Sequence, residues 1–307
     1  MGADHLADVF PAGPPATNLI AGTVDFHVHT GPDAFDRALD DDETVAVASR
    51  AGMGAIVLKN HVSETASRAV LARKRSGSVE VYGGLVLNHA VGGLNAGAVR
   101  WMARIAGRRG RVVWLPTIDA GNHRRVLGGD AESGIEVVHE GKPTEALVRV
   151  IQACAEGDLV LQTGHTSADD VLIVAAAARA HDVRVCVTHA MFPVVGFDVP
   201  RMRTAAALGV KLELCAVGML MGPQAQHAWM RAWGHVGAQA CAQAIKEVGS
   251  QHFILSTDLG QFGNPTPADG YRWFIQELLK EGVSSQEIDL MARHTPMSLL
   301  QPRVPNE

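Results

Sequence analysis

The chain has 307 residues, of which 47% are hydrophobic and 19% are charged, and its formal net charge is −5. This apolar fraction is enough to bury a core, which excludes an intrinsically disordered chain, and the slight acidity argues against a nucleic-acid partner. The longest nearly apolar stretch, residues 171–178, is far shorter than the roughly 18 residues of a membrane span, so no membrane partner is expected.

The N-terminus and the cysteines predict a cytoplasmic protein. No basic segment precedes an apolar one at the start of the chain, so the sequence predicts no secretory signal. None of the cysteines stands at C-x-x-C spacing, and we expect reduced, mostly buried thiols. They are Cys154, Cys186, Cys215 and Cys241.

The first 22 residues are rich in proline, glycine and alanine and predict an N-terminal extension. Short apolar, β-branched runs follow, without clean alternation of polar and apolar residues, which is typical of parallel strands buried on both faces. The eight runs are residues 23–29, 55–59, 79–87, 111–118, 159–163, 184–188, 210–214 and 252–256.

The segments between these runs predict amphipathic helices. Three of them begin with a capping-box-like pattern, at residues 40–43, 167–170 and 284–287. Pro143 suits a first helical turn. The long gap after the fourth run contains residues 135–139, which predict a small hairpin or an extra strand. A helix is expected near residues 239–248.

Eight strands that each precede a helix predict an α/β protein with a (β/α)8 TIM barrel, as a single domain over residues 23–307. The alternative is an open doubly wound sheet. That fold would place a glycine-rich phosphate loop after the first strand, and the sequence has no such loop there.

Polar residues collect where the predicted strands end, which in a barrel of this kind is the active-site face. Seven of the 14 histidines follow this rule: His27, His29, His61, His89, His123, His165 and His189. Lys59 ends the second strand and Asp258 ends the eighth. Because residues i and i+2 of a strand share a face, His27 and His29 can bind one cation. Imidazole and carboxylate ligands suit zinc first, with manganese or iron as alternatives.

The segments Asp25-Phe-His27-Val-His29-Thr, Thr163-Gly-His165, Thr188-His189 and Ser256-Thr-Asp258 resemble the metal-ligand set of the amidohydrolase superfamily. Residues 294–300 are similar to a segment that often follows the last strand in that superfamily. The resemblance implies that His27, His29 and Asp258 bind one metal ion. It implies that His165 and His189 bind a second ion, or that the site holds one ion plus substrate.

One departure from that superfamily concerns lysine. Binuclear members usually carry a carboxylated lysine or a glutamate on the fourth strand, which here offers neither. Lys59 on the second strand is the only lysine at a predicted strand end. Three interpretations stay open: Lys59 bridges two metal ions as a carbamate, it binds a substrate anion, or it forms a structural salt bridge.

The opening His-Val-His-Thr is also similar to the polymerase-and-histidinol-phosphatase family, another group of metal-dependent barrels. Those proteins tend to end with an Asp-x-His pair, whereas Asp258 is followed by Leu259 and Gly260. This second resemblance is therefore the weaker one.

Arg37, in the loop after His29, is placed to hold a carboxylate or phosphate of the substrate. Other candidate substrate-binding residues, each with the alternative of a loop or packing role, are His61, Asn88, His89 and His123. Trp229 and Trp233 stand four residues apart, which favours core packing or a lid over a binding role.

These observations predict a hydrolase that uses metal-activated water on a small anionic amide, lactam or lactone. Asp258 is the candidate general base, and His189 is a candidate for polarising the scissile carbonyl as well as a metal ligand. A phosphoesterase, a deaminase or a decarboxylase on the same barrel is the alternative, and a metal-binding protein without turnover is a third. The partner is a small-molecule substrate, and the sequence leaves room for a homo-oligomer.

Overall fold

The computed structural model of the protein describes residues 19–303. Residues 1–18, most of the predicted N-terminal extension, lie outside the described residues. The described strands are β1 (Val24–His29), β2 (Ala55–Lys59), β3 (Glu80–Val86), β4 (Gly110–Trp114), β5 (Val138–His139), β6 (Lys142–Pro143), β7 (Val160–Gln162), β8 (Arg184–Val187), β9 (Lys211–Cys215) and β10 (Phe253–Ser256).

Eight of these strands form one sheet in the order β1-β2-β3-β4-β7-β8-β9-β10, and every paired neighbour is parallel. They coincide with the eight predicted runs, so the predicted (β/α)8 barrel is confirmed. β5 and β6 pair antiparallel in the long gap after β4 and form the predicted hairpin.

Backbone and side-chain hydrogen bonds close the barrel between β10 and β1. The Asp258 amide donates to the His27 carbonyl (2.9 Å) and the His29 amide donates to the Leu259 carbonyl (2.8 Å). The buried Tyr271 hydroxyl donates across the same seam, 3.0 Å from the Leu255 carbonyl oxygen. The residues that follow β10 are thereby held beside the C-terminal end of β1.

The helices are α1 (Asp41–Arg50), α2 (Ala66–Arg73), α3 (Ala96–Arg104), α4 (Gly121–Leu127), α5 (Glu145–Glu156), α6 (Ala168–Ala180), α7 (Val199–Ala207), α8 (Ala238–Val248), α9 (Pro267–Lys280), α10 (Ser285–Asp289) and α11 (Thr295–Leu300). Asp40 and Ser284 form the predicted capping boxes. The expectation that Pro143 stands in a first helical turn was wrong, because Pro143 lies in β6. The Thr144 side chain caps α5, and that helix begins at Glu145. Between residues 19 and 303, no helix combines the length and apolarity needed to cross a bilayer.

The apolar core has two layers. The larger layer packs the outer faces of the strands against the helices. The smaller one fills the barrel below its mouth and includes Phe26, Val57 and Trp114, with Leu300 of α11 packed against them. All four cysteines are free and buried, as predicted.

A register shift between Asp25 and Val28 changes which side chains of β1 face the inside of the barrel. Phe26 belongs to the inner layer, and yet His27, the next residue, also packs near Trp114, with ring centroids 6.2 Å apart. A β-bulge produces such an exchange of faces, because one extra residue enters the strand. The extra residue lies between Asp25 and Val28, so that His27 and His29 both face the inside of the barrel.

Candidate functional site

A cavity of about 650 Å³ opens at the C-terminal mouth of the barrel. Such a volume suits a small-molecule site. Eight of the residues singled out from the sequence line it: His29, Arg37, Lys59, His61, His123, His165, His189 and Asp258. The strand ends therefore converge as the barrel geometry required.

His27, His29 and Asp258 form a cluster of candidate ligand atoms. The Nε2 atoms of both imidazoles lie 3.0 Å from the same oxygen, Asp258 Oδ1. The three ligand atoms lie within 4.8 Å of one another. Burial alone would raise the pKa of Asp258, but the two imidazoles lower it well below its usual value, so the carboxylate stays ionised.

Lys59 lies beside this cluster and is buried. Its Nζ is 2.9 Å from His27 Nε2 and 5.5 Å from the centre of the Trp114 ring. Burial lowers the pKa of the amine. Within residues 19–303 its amine makes no salt bridge with a carboxylate, so the interpretation of Lys59 as a structural salt-bridge residue is not supported.

His165 and His189 lie across the cavity floor from the first pair. Their ring centroids are 4.9 Å apart, and those of His27 and His189 are 6.2 Å apart. His123 Nδ1 lies 2.7 Å from His165 Nδ1. Burial lowers the pKa of His189 to about 4 and that of His165 well below its usual value. Both rings are therefore neutral at pH 7 and suited to bind a metal ion.

Two of these residues have unusual backbone conformations. His189 has φ = 30° and Asp258 has φ = 54°, both in the left-handed region that non-glycine residues seldom adopt. Each such residue costs of order 1–3 kcal/mol and persists where the surroundings enforce it, commonly at functional sites. The strain falls on the two residues that the sequence predicted to act on the substrate.

Glu213 of β9 belongs to the site and was missed in the sequence. Its carboxylate is fully buried, with Oε2 3.3 Å from His27 Nδ1 and 3.0 Å from the His189 backbone nitrogen, which donates to it. Burial would raise the pKa of Glu213, but His27 reverses this and the pKa is lowered. The site therefore contains a second ionised carboxylate beneath the first.

The predicted substrate-binding residues divide into two groups. Arg37, His61 and His123 line the cavity. Asn88 instead holds the backbone of the β4 loop, because its Oδ1 accepts from the Thr117 amide at 2.8 Å. His89 points away and is exposed, with its Nε2 2.9 Å from the Ser133 carbonyl oxygen. The structure does not bring these two residues to the cavity.

Arg37 faces the cavity with its charge already paired. Its NH2 group and its Nε both lie 2.7 Å from Asp33 Oδ2, and its guanidinium lies 5.7 Å from the centre of the Phe35 ring. The prediction that Arg37 grips a substrate anion is therefore weakened, because the nearest anion is part of the protein.

Aromatic side chains form the outer wall of the cavity. They are Phe35, Trp229, Trp233 and Phe262. Three of the four, Phe35, Trp229 and Phe262, are among the most exposed large hydrophobic residues in the described chain. Exposed apolar residues gathered around a cavity indicate a ligand-binding surface, so Trp229 and Trp233 do more than pack the core. These residues lie outside the α-helices and barrel strands, and Trp229 is in a short 3-10 helix.

The chemistry of the floor fits a divalent metal ion. Within the described residues, His29 Nδ1, His189 Nδ1 and Glu213 Oε1 are buried without a hydrogen-bond partner. Buried polar atoms without partners are costly. His27 Nε2 in turn faces both an amine and a carboxylate oxygen. Imidazole nitrogens and carboxylate oxygens are ligands typical of zinc and related ions.

Solved structures place this fold among metal-dependent hydrolase barrels. An amidohydrolase from Pseudomonas aeruginosa superposes with a TM-score of 0.63 at 11% identity, over 94% of this chain and 98% of that one. An organophosphorus hydrolase from Deinococcus radiodurans gives 0.57 at 14% identity, over 93% and 94%. A protein engineered for organophosphate hydrolysis from a weak promiscuous lactonase template gives 0.59 at 13% identity, over 94% and 98%.

The predicted resemblance to the amidohydrolase superfamily is confirmed by these structures at the level of the fold. Residues 22–213 match the model of DUF6282, described as a family of unknown function. The match spans more than half of the chain, and the protein belongs to that family. No curated protein matches the chain in sequence.

Proposed function

We propose that this protein is a metal-dependent hydrolase that attacks its substrate with water at the mouth of the barrel. The observation that carries the proposal is the convergence of His27, His29 and Asp258 on one point, beside a substrate-sized cavity that His29 and Asp258 line. A protein that only stores or senses a metal needs no such open space beside its ligands.

The proposed ligands of a first ion are His27, His29 and Asp258, and His165 and His189 are those of a second ion. Lys59 would bridge the two as a carbamate. Zinc is the first choice, with manganese or iron as alternatives. The chemistry that a bound divalent ion supplies in such sites is acidification of water and polarisation of the scissile carbonyl or phosphoryl group.

Asp258 is the proposed general base. Its Oδ1 faces His27 and His29, and the residue also lines the cavity. An ionised carboxylate there can take a proton from the attacking water and return it to the leaving group. The lowered pKa of Asp258 keeps it in the form that accepts the proton.

His189 is the proposed donor to the substrate oxygen wherever a second ion does not take its nitrogen. A carboxylate cannot donate to a developing oxyanion, whereas a neutral imidazole carries one N–H. His189 is neutral at pH 7, has a buried nitrogen without a partner and lines the cavity. Its ring also stacks on Phe192, 4.6 Å between centroids, which restricts its rotation.

The cavity walls favour a neutral substrate with an apolar substituent over the anionic substrate expected from the sequence. Arg37 is paired with Asp33, Lys59 is buried against His27, and the outer wall is aromatic. We therefore propose a carboxylic ester, lactone or amide. An organophosphate ester is the second candidate, favoured by the same apolar wall and by the organophosphate hydrolysis for which two structural relatives are named.

Metal analysis followed by a substrate screen tests the proposal. The purified protein would be stripped with a chelator, reloaded with Zn²⁺, Mn²⁺ or Fe²⁺, and assayed with lactones, lactams, aryl esters, anilides, phosphotriesters and phosphomonoesters. Deamination and decarboxylation would be followed by ammonia and carbon dioxide release. Metal-dependent turnover of an ester, lactone or amide supports the proposal. Bound metal without turnover on any class favours the non-catalytic alternative.

A further inference from the structure

We propose that Glu213 is the positioning residue of the metal centre, because its one carboxylate orients the ring of His27 and holds the backbone of His189. The inference rests on the proposed function, since it assigns Glu213 a role toward the same metal site. The carboxylate lies fully buried on β9, beneath the cavity floor.

The first step of the argument is the orientation of the His27 ring. Its Nε2 faces Asp258 at 3.0 Å, and its Nδ1 faces Glu213 Oε2 at 3.3 Å. Both ring nitrogens face a carboxylate oxygen, and an ionised carboxylate only accepts hydrogen bonds. With a cation on the Nε2 side, where His29 and Asp258 lie, the proton of a neutral His27 belongs on Nδ1. That tautomer leaves the Nε2 lone pair directed at the ligand cluster. Glu213 thus selects the form of His27 that can bind a cation.

The second step concerns the backbone of His189. The same Oε2 accepts from the His189 amide at 3.0 Å, and that residue has the unusual φ of 30°. A strained conformation needs surroundings that hold it, and a charge-assisted hydrogen bond to a buried carboxylate is among the stronger ones. Glu213 therefore connects two proposed ligands that come from β1 and from the end of β8.

The third step is the cost of burying the charge. Glu213 Oε1 has no hydrogen-bond partner within residues 19–303, and a buried ionised group with incomplete pairing destabilises the fold. Such a residue is poorly explained by stability alone. Carboxylates that accept from the far nitrogen of a metal-binding histidine commonly raise metal affinity by 10- to 100-fold.

One alternative uses the same atoms differently. His27, Glu213 and Cys215 also lie within ligand distance of one another, so an ion could bind on the Nδ1 side of the ring. The Glu213 oxygen that faces Nδ1 already accepts a hydrogen bond from the His189 amide at 3.0 Å, which favours the positioning role.

The test compares Glu213→Gln with Glu80→Gln, the same substitution at an ion pair with Arg73 on the far side of the barrel. Zn²⁺ dissociation constants would be measured by competition with a chromophoric chelator. The geometry of the metal site would be compared through the visible absorption spectra of the Co²⁺-loaded proteins. We expect about 10- to 100-fold weaker Zn²⁺ binding and an altered Co²⁺ spectrum in Glu213→Gln alone. Wild-type affinity and spectrum in a folded Glu213→Gln protein would overturn the inference.

Two further readouts keep the test decisive. A sulfur-to-cobalt charge-transfer band that disappears in Cys215→Ser would show that the ion binds on the side of Glu213 and Cys215. That result would overturn the positioning role. If Glu213→Gln does not fold, ¹⁵N-histidine NMR of the Zn²⁺-loaded wild type decides instead: His27 must bind Zn²⁺ through Nε2 and carry its proton on Nδ1, and the opposite arrangement overturns the inference. A wild-type protein that binds no Zn²⁺ would sink the proposed function instead, so the two failures are distinguishable.

Discussion

Lys59 Nζ lies 2.9 Å from His27 Nε2, so the end of β2 reaches the first proposed ligand of β1. In the amidohydrolase superfamily that the sequence resembles, the bridging residue usually comes from the fourth strand. Here β4 ends at Trp114, whose ring faces the Lys59 amine instead. In this protein the lysine beside the cluster of His27, His29 and Asp258 comes from the second strand.

The carbamate hypothesis for Lys59 gives a first prediction. Lys59→Ala should bind fewer metal ions per chain than the wild type, and a short carboxylic acid should restore part of the loss, because it can stand in for the missing carbamate. Metal stoichiometry after gel filtration and ¹³C NMR with labelled bicarbonate would measure this. Lys59→Arg is the control that keeps a cation without carbamate formation. Wild-type stoichiometry in Lys59→Ala and no carbamate signal in the wild type would exclude the hypothesis.

The second prediction concerns Asp258. Asp258→Asn should keep the fold and lose about 10²- to 10⁴-fold in kcat, as expected for removal of a general base. Asparagine suits the position because it tolerates the left-handed backbone found there better than most residues. Turnover would be measured with the substrate that the screen identifies, and folding by circular dichroism. Asp42→Asn, at a surface pair with Arg75, is the control, and full activity in Asp258→Asn would refute the assignment.

Metal removal gives the third prediction. Stripping the ion should leave the barrel folded, because its closure uses backbone hydrogen bonds and Tyr271, but should lower the melting temperature. A ligand that binds the folded state alone stabilises it by about 2.7 kcal/mol at 100 times its Kd. Calorimetry with and without a chelator, and after zinc is restored, would measure the change. Identical melting curves throughout would argue against a metal ion bound at these residues.

The barrel was predictable because its strands carry their own signal. A strand buried on both faces must be apolar over its whole length, and all eight such runs became strands of the sheet. The histidines at their ends were equally informative, since a closed parallel barrel brings every strand end to one mouth. His27 and His189 illustrate this: they stand far apart in the chain but their rings lie 6.2 Å apart.

What the sequence did not reveal depends on local irregularity and on loops. The register shift in β1 leaves no mark in its composition, and it decides which residues face inward. Glu213 of β9 was not among the candidate residues, although it is fully buried. A signal was present, because Glu213 shares a face with Cys215 at the mouth end of that strand. Asn88 and His89 follow β3, but their side chains serve the loop.

The aromatic wall gives the fourth prediction. Trp229→Ala should raise KM for a substrate with an apolar substituent by about 10-fold or more, with a smaller effect on kcat, because the ring would contact the substituent in ground state and transition state alike. Trp101→Ala is the control, since Trp101 is an exposed tryptophan of α3 that does not line the cavity. Equal KM values for the wild type, Trp229→Ala and Trp101→Ala would show that Trp229 does not contact the substrate. The proposal of a metal site would be unaffected.

The fifth prediction concerns the seam that brings Asp258 to His27. Asp25 Oδ1 accepts from the Thr257 amide at 3.0 Å and from the His27 amide at 3.2 Å, and its Oδ2 accepts from the Thr257 hydroxyl. Asp25→Ala would leave these buried donors without partners, at roughly 1–3 kcal/mol for each group. Urea unfolding of the metal-free protein should show the loss. Asp25→Asn keeps an acceptor for both amides and should be destabilised much less, so equal stability of the two variants would show that these hydrogen bonds do not hold the barrel closed.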